Sequence, residues 1–133
     1  MGCWDVGPFE NDSAGDFVSA VCDGGGLAAI EDAFDHVLEA GSEYLEAPTA
    51  EEAVAAVAIV ARLKDGVPLP GEDEIEAWIA QEQPTASTTL IAKAHNALQR
   101  VITAPSELLE LWQDAVEFPD FQAGIDDLLR RLG

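Results

Sequence analysis

Apolar residues recur at spacings of three and four along nearly the whole chain, the period that places them on one face of an α-helix. No segment shows the strict alternation of a strand. A first helix is expected from about Asp12 to Cys22, ending at Asp23-Gly24-Gly25-Gly26, a flexible break that frees the next helix to turn. The second, from about Leu27 to Ala40, places Leu27, Ile30, Phe34, Val37 and Leu38 at helical spacing and stops at Gly41. A linker through Pro48 follows. Thr49-Ala50-Glu51-Glu52 then reads as a capping box, in which hydroxyl and carboxylate each satisfy a backbone N–H of the first turn. The helix it opens, to about Lys64, is apolar nearly all round and is expected at the centre of a bundle.

Asp65-Gly66-Val67-Pro68-Leu69-Pro70-Gly71 carries two prolines and two glycines and excludes both helix and central strand. Beyond it, a short helix from about Asp73 to Gln81 presents Ile75, Trp78 and Ile79. Another, from about Ser87 to Thr103, presents Leu90, Ile91, Ala94, Leu98, Val101 and Ile102. Pro105-Ser106 is expected in the first turn of the next helix, which carries Leu108, Leu109, Leu111 and Trp112. After Phe118-Pro119, Asp120 is expected to cap the last helix, with Ile125, Leu128, Leu129 and Leu132 facing inward. The expected fold is therefore all-α: residues 1–133 as a single-domain bundle of about six or seven short helices, with an ordered N-terminal loop. Its length of 133 residues suits one core.

The N-terminal run departs from this periodicity. Gly7-Pro8 marks a turn, Asn11 suits a helix N-cap, and Asp12 and Asp16 place negative charge near the positive end of the helix dipole. An aromatic plug with a capped helix accounts for the pattern. A ligand or partner site built on Trp4, Asn11, Asp12 and Asp16 is the functional alternative.

The run Trp4, Gly7-Pro8-Phe9-Glu10-Asn11-Asp12, Ala14, Asp16-Phe17 resembles the opening motif of a bacterial family catalogued as domain of unknown function 4259. Ser106-Glu107-Leu108-Leu109-Glu110-Leu111-Trp112 and Leu128-Leu129-Arg130-Arg131-Leu132 resemble that family's closing segment. Asp5 stands where the family usually carries glycine, so the turn there either tolerates a side chain or differs. The resemblance implies a fold and no activity.

Charge changes the picture more than composition does. Twenty-six acids against six bases give a formal charge of −20, and thirteen acids precede the first base, Arg62. Such a chain repels phosphates and anionic headgroups, so direct nucleic-acid binding and membrane binding are excluded, while a basic protein is attracted. On the second helix Asp32, Asp35 and Glu39 fall side by side with no lysine between them on that helix, each like-charge pair costing about 0.2–0.5 kcal/mol. Two readings stand: a docking face for a cationic partner, or a solvated face in a host that favours acidic proteins.

Candidate chemistry is sparse. His36 and His95 form no metal-binding spacing, and Cys3 and Cys22 no CxxC, so the cysteines read as free thiols in a reducing cytoplasm. Asp12, Ala14 and Asp16 fail the calcium-loop pattern. The longest apolar run, Ala53 to Ala61, is nine residues, too short for a membrane span, and Val6 breaks the lipidation pattern that Met1-Gly2-Cys3 suggests. With no catalytic residue set, no metal and no cofactor expected, the leading expectation is a non-enzymatic cytoplasmic protein that binds a basic protein, in the manner of an inhibitor or immunity protein. The alternative is a small-ligand binder or unrecognised enzyme with its site at the N-terminal loop. Oligomeric state is not legible.

Overall fold

The computed structural model describes residues 12–69, 72–115 and 118–132. The expected N-terminal loop, its Asn11 cap and Cys3 lie outside them. Seven α-helices occupy the described residues: α1 (Asp12–Ala20), α2 (Gly26–Glu39), α3 (Ala47–Asp65), α4 (Asp73–Glu82), α5 (Thr88–Val101), α6 (Glu107–Gln113) and α7 (Phe118–Leu132).

The central helix follows directly from its composition. Every residue from Ala53 to Ala61 is buried, because α3 packs against α1, α2, α5, α6 and α7 and so has no face left for solvent. Alanine at five of those nine positions lets the neighbours approach closely, and Val54, Val57, Ile59 and Val60 fill the space between them. Around this rod, α2 contributes Ile30, Phe34 and Val37, α5 contributes Leu90, Leu98 and Val101, and α7 contributes Phe121, Ile125, Leu128 and Leu132. Each large side chain fully removed from water contributes about 1.5–3 kcal/mol. α4 sits apart from this arrangement, packing onto the turn between α1 and α2 through Ile75 and the half-buried Trp78 and Ile79.

Four local expectations are corrected, and the break between the first two helices takes a definite shape. Between α1 and α2 the glycine run makes a kink. Val21–Gly25 forms one wide π turn in which Gly24, at φ 124°, leaves helical geometry, and Gly26 follows at φ 56°. Gly25 is needed there for space, since a Cβ would lie 2.8 Å from both the Ala20 carbonyl oxygen and the Ala29 Cβ. Leu38, counted in the apolar stripe of α2, is 36% exposed, because that stripe narrows to Ile30, Ala33, Phe34 and Val37.

The capping box at Thr49 does not form. Pro48 begins α3 early, with Glu46 as N-cap residue in extended geometry and no side-chain cap bond of its own, so Thr49 is already helical. Pro105 stands before α6 rather than in its first turn: the Ala104–Pro105 bond is cis, and Ser106 is the N-cap, its hydroxyl accepting from the Leu109 N–H at 3.4 Å. Asp120 lies within the first turn of α7, which starts at Phe118 and accommodates Pro119 because first-turn N–H groups have no intrahelical acceptor. By contrast Ser87 caps α5 at the Leu90 N–H, 3.0 Å away.

Candidate interaction surface

The residues singled out from sequence divide between two places. Trp4 and Asn11 lie outside the described residues; Asp12 opens α1 and Asp16 is exposed on it. Asp32, Asp35 and Glu39 do share a face of α2, yet that face is not unrelieved. Lys93 of α5 donates to the Glu31 carboxylate at 2.7 Å and to Asp35 at 2.8 Å, leaving Asp32 and Glu39 as exposed acids. The cation that a reading of α2 alone could not supply comes from another helix. Asp35 and Glu31 in turn hold the Lys93 ammonium charged well above the usual lysine range.

The other five bases are engaged in the same way. Arg62 grips Glu76 with two N–H groups at 2.9 Å, joining α3 to α4, while Glu76 also accepts from the Leu69 N–H at 3.0 Å. These donors hold the Glu76 carboxyl below the ordinary glutamate range. Arg131 pairs with Asp65 at 2.7 Å, and Lys64 donates to the Arg131 carbonyl at 3.0 Å, so the end of α7 is tied to the end of α3. The Asp65 carboxyl is correspondingly lowered by Arg131 and by the Val67 N–H. Arg130 meets Asp127 one turn away on α7 at 2.6 Å. Arg100 spends its guanidinium on backbone, donating to the carbonyls of Gly41, Glu43, Thr103 and Pro105. All six Lys and Arg side chains of the chain thus have intramolecular acceptors.

Arg100 also marks the corner where two linkers meet. The α2–α3 and α5–α6 connections run side by side there as a single parallel bridge between Leu45 and Ser106. The Leu45 N–H donates to the Pro105 carbonyl at 3.1 Å and the Glu107 N–H to the Leu45 carbonyl at 2.8 Å. Glu107 then reaches forward to accept the Ala47 N–H at 2.8 Å, and Tyr44 donates to Glu110 at 3.2 Å. Partial desolvation and the carboxylates of Glu110, Glu107 and Glu46 push the Tyr44 phenol above its usual range. This corner leaves Tyr44 50% and Leu111 57% exposed.

The model of one family, Domain of unknown function (DUF4259), matches residues 2–124. The chain belongs to the DUF4259 family. The segment that resembles the DUF4259 closing motif, Ser106 to Trp112, is the N-cap and body of α6, so in this structure it carries the buried Ser106, both linker-binding glutamates and the exposed Leu111. Its Trp112 stacks on Phe121 of α7 with ring centroids 5.1 Å apart, closing the helix onto the core. No curated protein and no solved structure matches the chain.

Reactive groups do not converge among the described residues of this DUF4259 chain. No group of three His, Cys, Asp or Glu side chains is placed to hold a metal, and no helix is long and apolar enough to cross a membrane. His36 is exposed on α2 and His95 half-buried on α5. The half-buried Cys22 thiol contacts the Glu74 carbonyl at 3.6 Å, and desolvation together with Glu74 and Asp23 raises its pKa, which disfavours the nucleophilic thiolate. The residues that sequence reading missed are Tyr44, Glu107 and Glu110. Their role depends on partners some sixty positions away in the chain, which no local spacing encodes.

Proposed function

We propose that the chain is a non-enzymatic bacterial cytoplasmic protein that acts by binding a basic protein, as an inhibitor or neutraliser of a cationic partner. The observation that carries this reading is the disposition of the cations. All six are committed to acceptors within the molecule, against twenty-six acids, so what the surface offers to a macromolecule is carboxylate. Phosphate recognition needs free Lys and Arg donors, and counterion release by those donors is what drives nucleic-acid binding. Arg62, Lys64, Lys93, Arg100 and Arg131 are least available for it, since each would have to abandon a contact that joins two parts of the fold. A lysine-rich or arginine-rich protein surface, by contrast, meets a field that steers it inward over about a Debye length.

Immobilised protein exposed to a bacterial lysate tests this. At low salt it is expected to retain proteins of high isoelectric point and release them as salt rises. Retention of no basic protein at low salt, or retention of nucleic acid, contradicts it.

A further inference from the structure

We infer that the cationic partner docks at the corner formed by the α2–α3 linker and α6, inserting an apolar side chain between lysines or arginines against Tyr44 and Leu111. The inference rests on the reading under Proposed function and adds to it the place and the chemistry of the contact. Exposed acids alone would favour α2 equally. Among the described residues, the large hydrophobic side chains left open to solvent are Leu38, Tyr44, Val67 and Leu111, and two of these four belong to this corner.

The geometry places them together. Glu107, Glu110 and Leu111 of α6 and its C-cap residue Asp114 are related by spacings of three and four and so share one face. Glu107 and Glu110 are both bonded to the linker side, to the Ala47 N–H and the Tyr44 hydroxyl, which puts Leu111 beside the same segment. Glu43 and Glu46 are exposed on the linker next to Tyr44, and Glu110 and Asp114 are exposed next to Leu111 on α6 and at its C-cap. Arg100 is the base at this corner, and its N–H groups are turned to four backbone carbonyls. An apolar centre inside a carboxylate frame is complementary to an apolar residue flanked by cations. A second copy of the chain would bring its own carboxylates into that frame, and an anionic lipid surface its phosphates; both are repelled. Rigid aromatic and aliphatic anchors surrounded by charge are where binding energy concentrates in protein interfaces.

Two synthetic probes of equal positive charge test the inference: a helical peptide with leucines at spacings of three and four among lysines, and poly-lysine. Wild-type protein is expected to bind the leucine-containing peptide at least about tenfold more tightly, with Leu111→Ser and Tyr44→Ala each erasing most of that preference. Leu111 is exposed, so Leu111→Ser reads the contact even if Tyr44→Ala loosens the linker. Glu74→Gln, a single charge loss on α4, is expected to leave the preference intact. Equal binding of the two peptides by wild type overturns the inference, as does loss of the preference in Asp32→Asn/Glu39→Gln with Leu111→Ser unaffected; both results leave the reading under Proposed function standing. Binding of neither peptide at low salt removes that reading as well.

Discussion

The Glu107 carboxylate accepts the backbone N–H of Ala47 at 2.8 Å, so the central helix is capped by a residue from the start of α6, sixty positions away. One side chain thereby satisfies a first-turn donor of α3 and fixes where α6 lies against it. Replacement of Glu107 by Ala is expected to cost about 0.5–2 kcal/mol, the range for a lost helix cap. Thr49→Ala should cost less than about 0.5 kcal/mol, because Thr49 lies inside the helix and makes no cap. Urea unfolding of the two variants checks this, and a larger loss for Thr49→Ala would restore the local capping box.

Glycine substitutions within the π turn and in the helix before it are expected to act in opposite directions. Gly25→Ala must place a methyl 2.8 Å from the Ala20 carbonyl oxygen and the Ala29 Cβ, and should destabilise by about 1–3 kcal/mol. Gly15→Ala, in α1 with open space around the new Cβ, should stabilise by up to about 1 kcal/mol through helix propensity. Thermal unfolding of both variants in one buffer reads the difference.

Arg100→Lys is expected to destabilise the protein although charge is kept. A single ammonium cannot reproduce the planar set of donors that reaches the Gly41, Glu43, Thr103 and Pro105 carbonyls. Losing two of these charge-assisted bonds at a half-buried site should cost about 1–3 kcal/mol. Amide exchange should quicken first at Leu45 and Glu107, whose N–H groups form the bridge between the linkers.

Acid should erase the contribution of the Arg62–Glu76 pair. Glu76 is lowered from its ordinary value of 4.5 by Arg62 and then by the Leu69 N–H, so it binds its proton more weakly in the folded state than in the unfolded one. Its stabilisation is therefore complete above the unfolded value and disappears as pH falls through the lower folded value. The stability difference between wild type and Glu76→Gln should be largest near neutrality and shrink below about pH 4. The difference is the quantity to follow, because falling pH also relieves self-repulsion in a chain of charge −20.

What the sequence made legible follows from locality. The positions of the helices, the central place of α3 and the inward faces of α5 and α7 are carried by period and composition, both of which are local. Ser87, read as the first helical residue, is the cap of α5, one position off. The Thr49 box failed locally, because Pro48 starts α3 ahead of it, while distant residues decided the rest: Glu107 of α6 accepts the Ala47 N–H, and Lys93 of α5 pairs with Glu31 and Asp35, acids that look unopposed on α2. Leu111 looked like one of a stripe because α6 is short and rich in leucine, and only the packing against α3 and α7 selects Leu108 and Leu109 for the core. Of the residues suggested from sequence, Asp32 and Glu39 lie exposed on α2 and Asp35 is bonded to Lys93, while Trp4 and Asn11 lie outside the described residues.

The most direct measurement is the affinity of the wild-type protein for the lysine–leucine peptide across a potassium chloride series. A negative surface with its cations internally engaged predicts tight binding at low salt that weakens by more than about tenfold toward physiological ionic strength. Absence of binding at the lowest salt, or an affinity that does not change across the series, would contradict it.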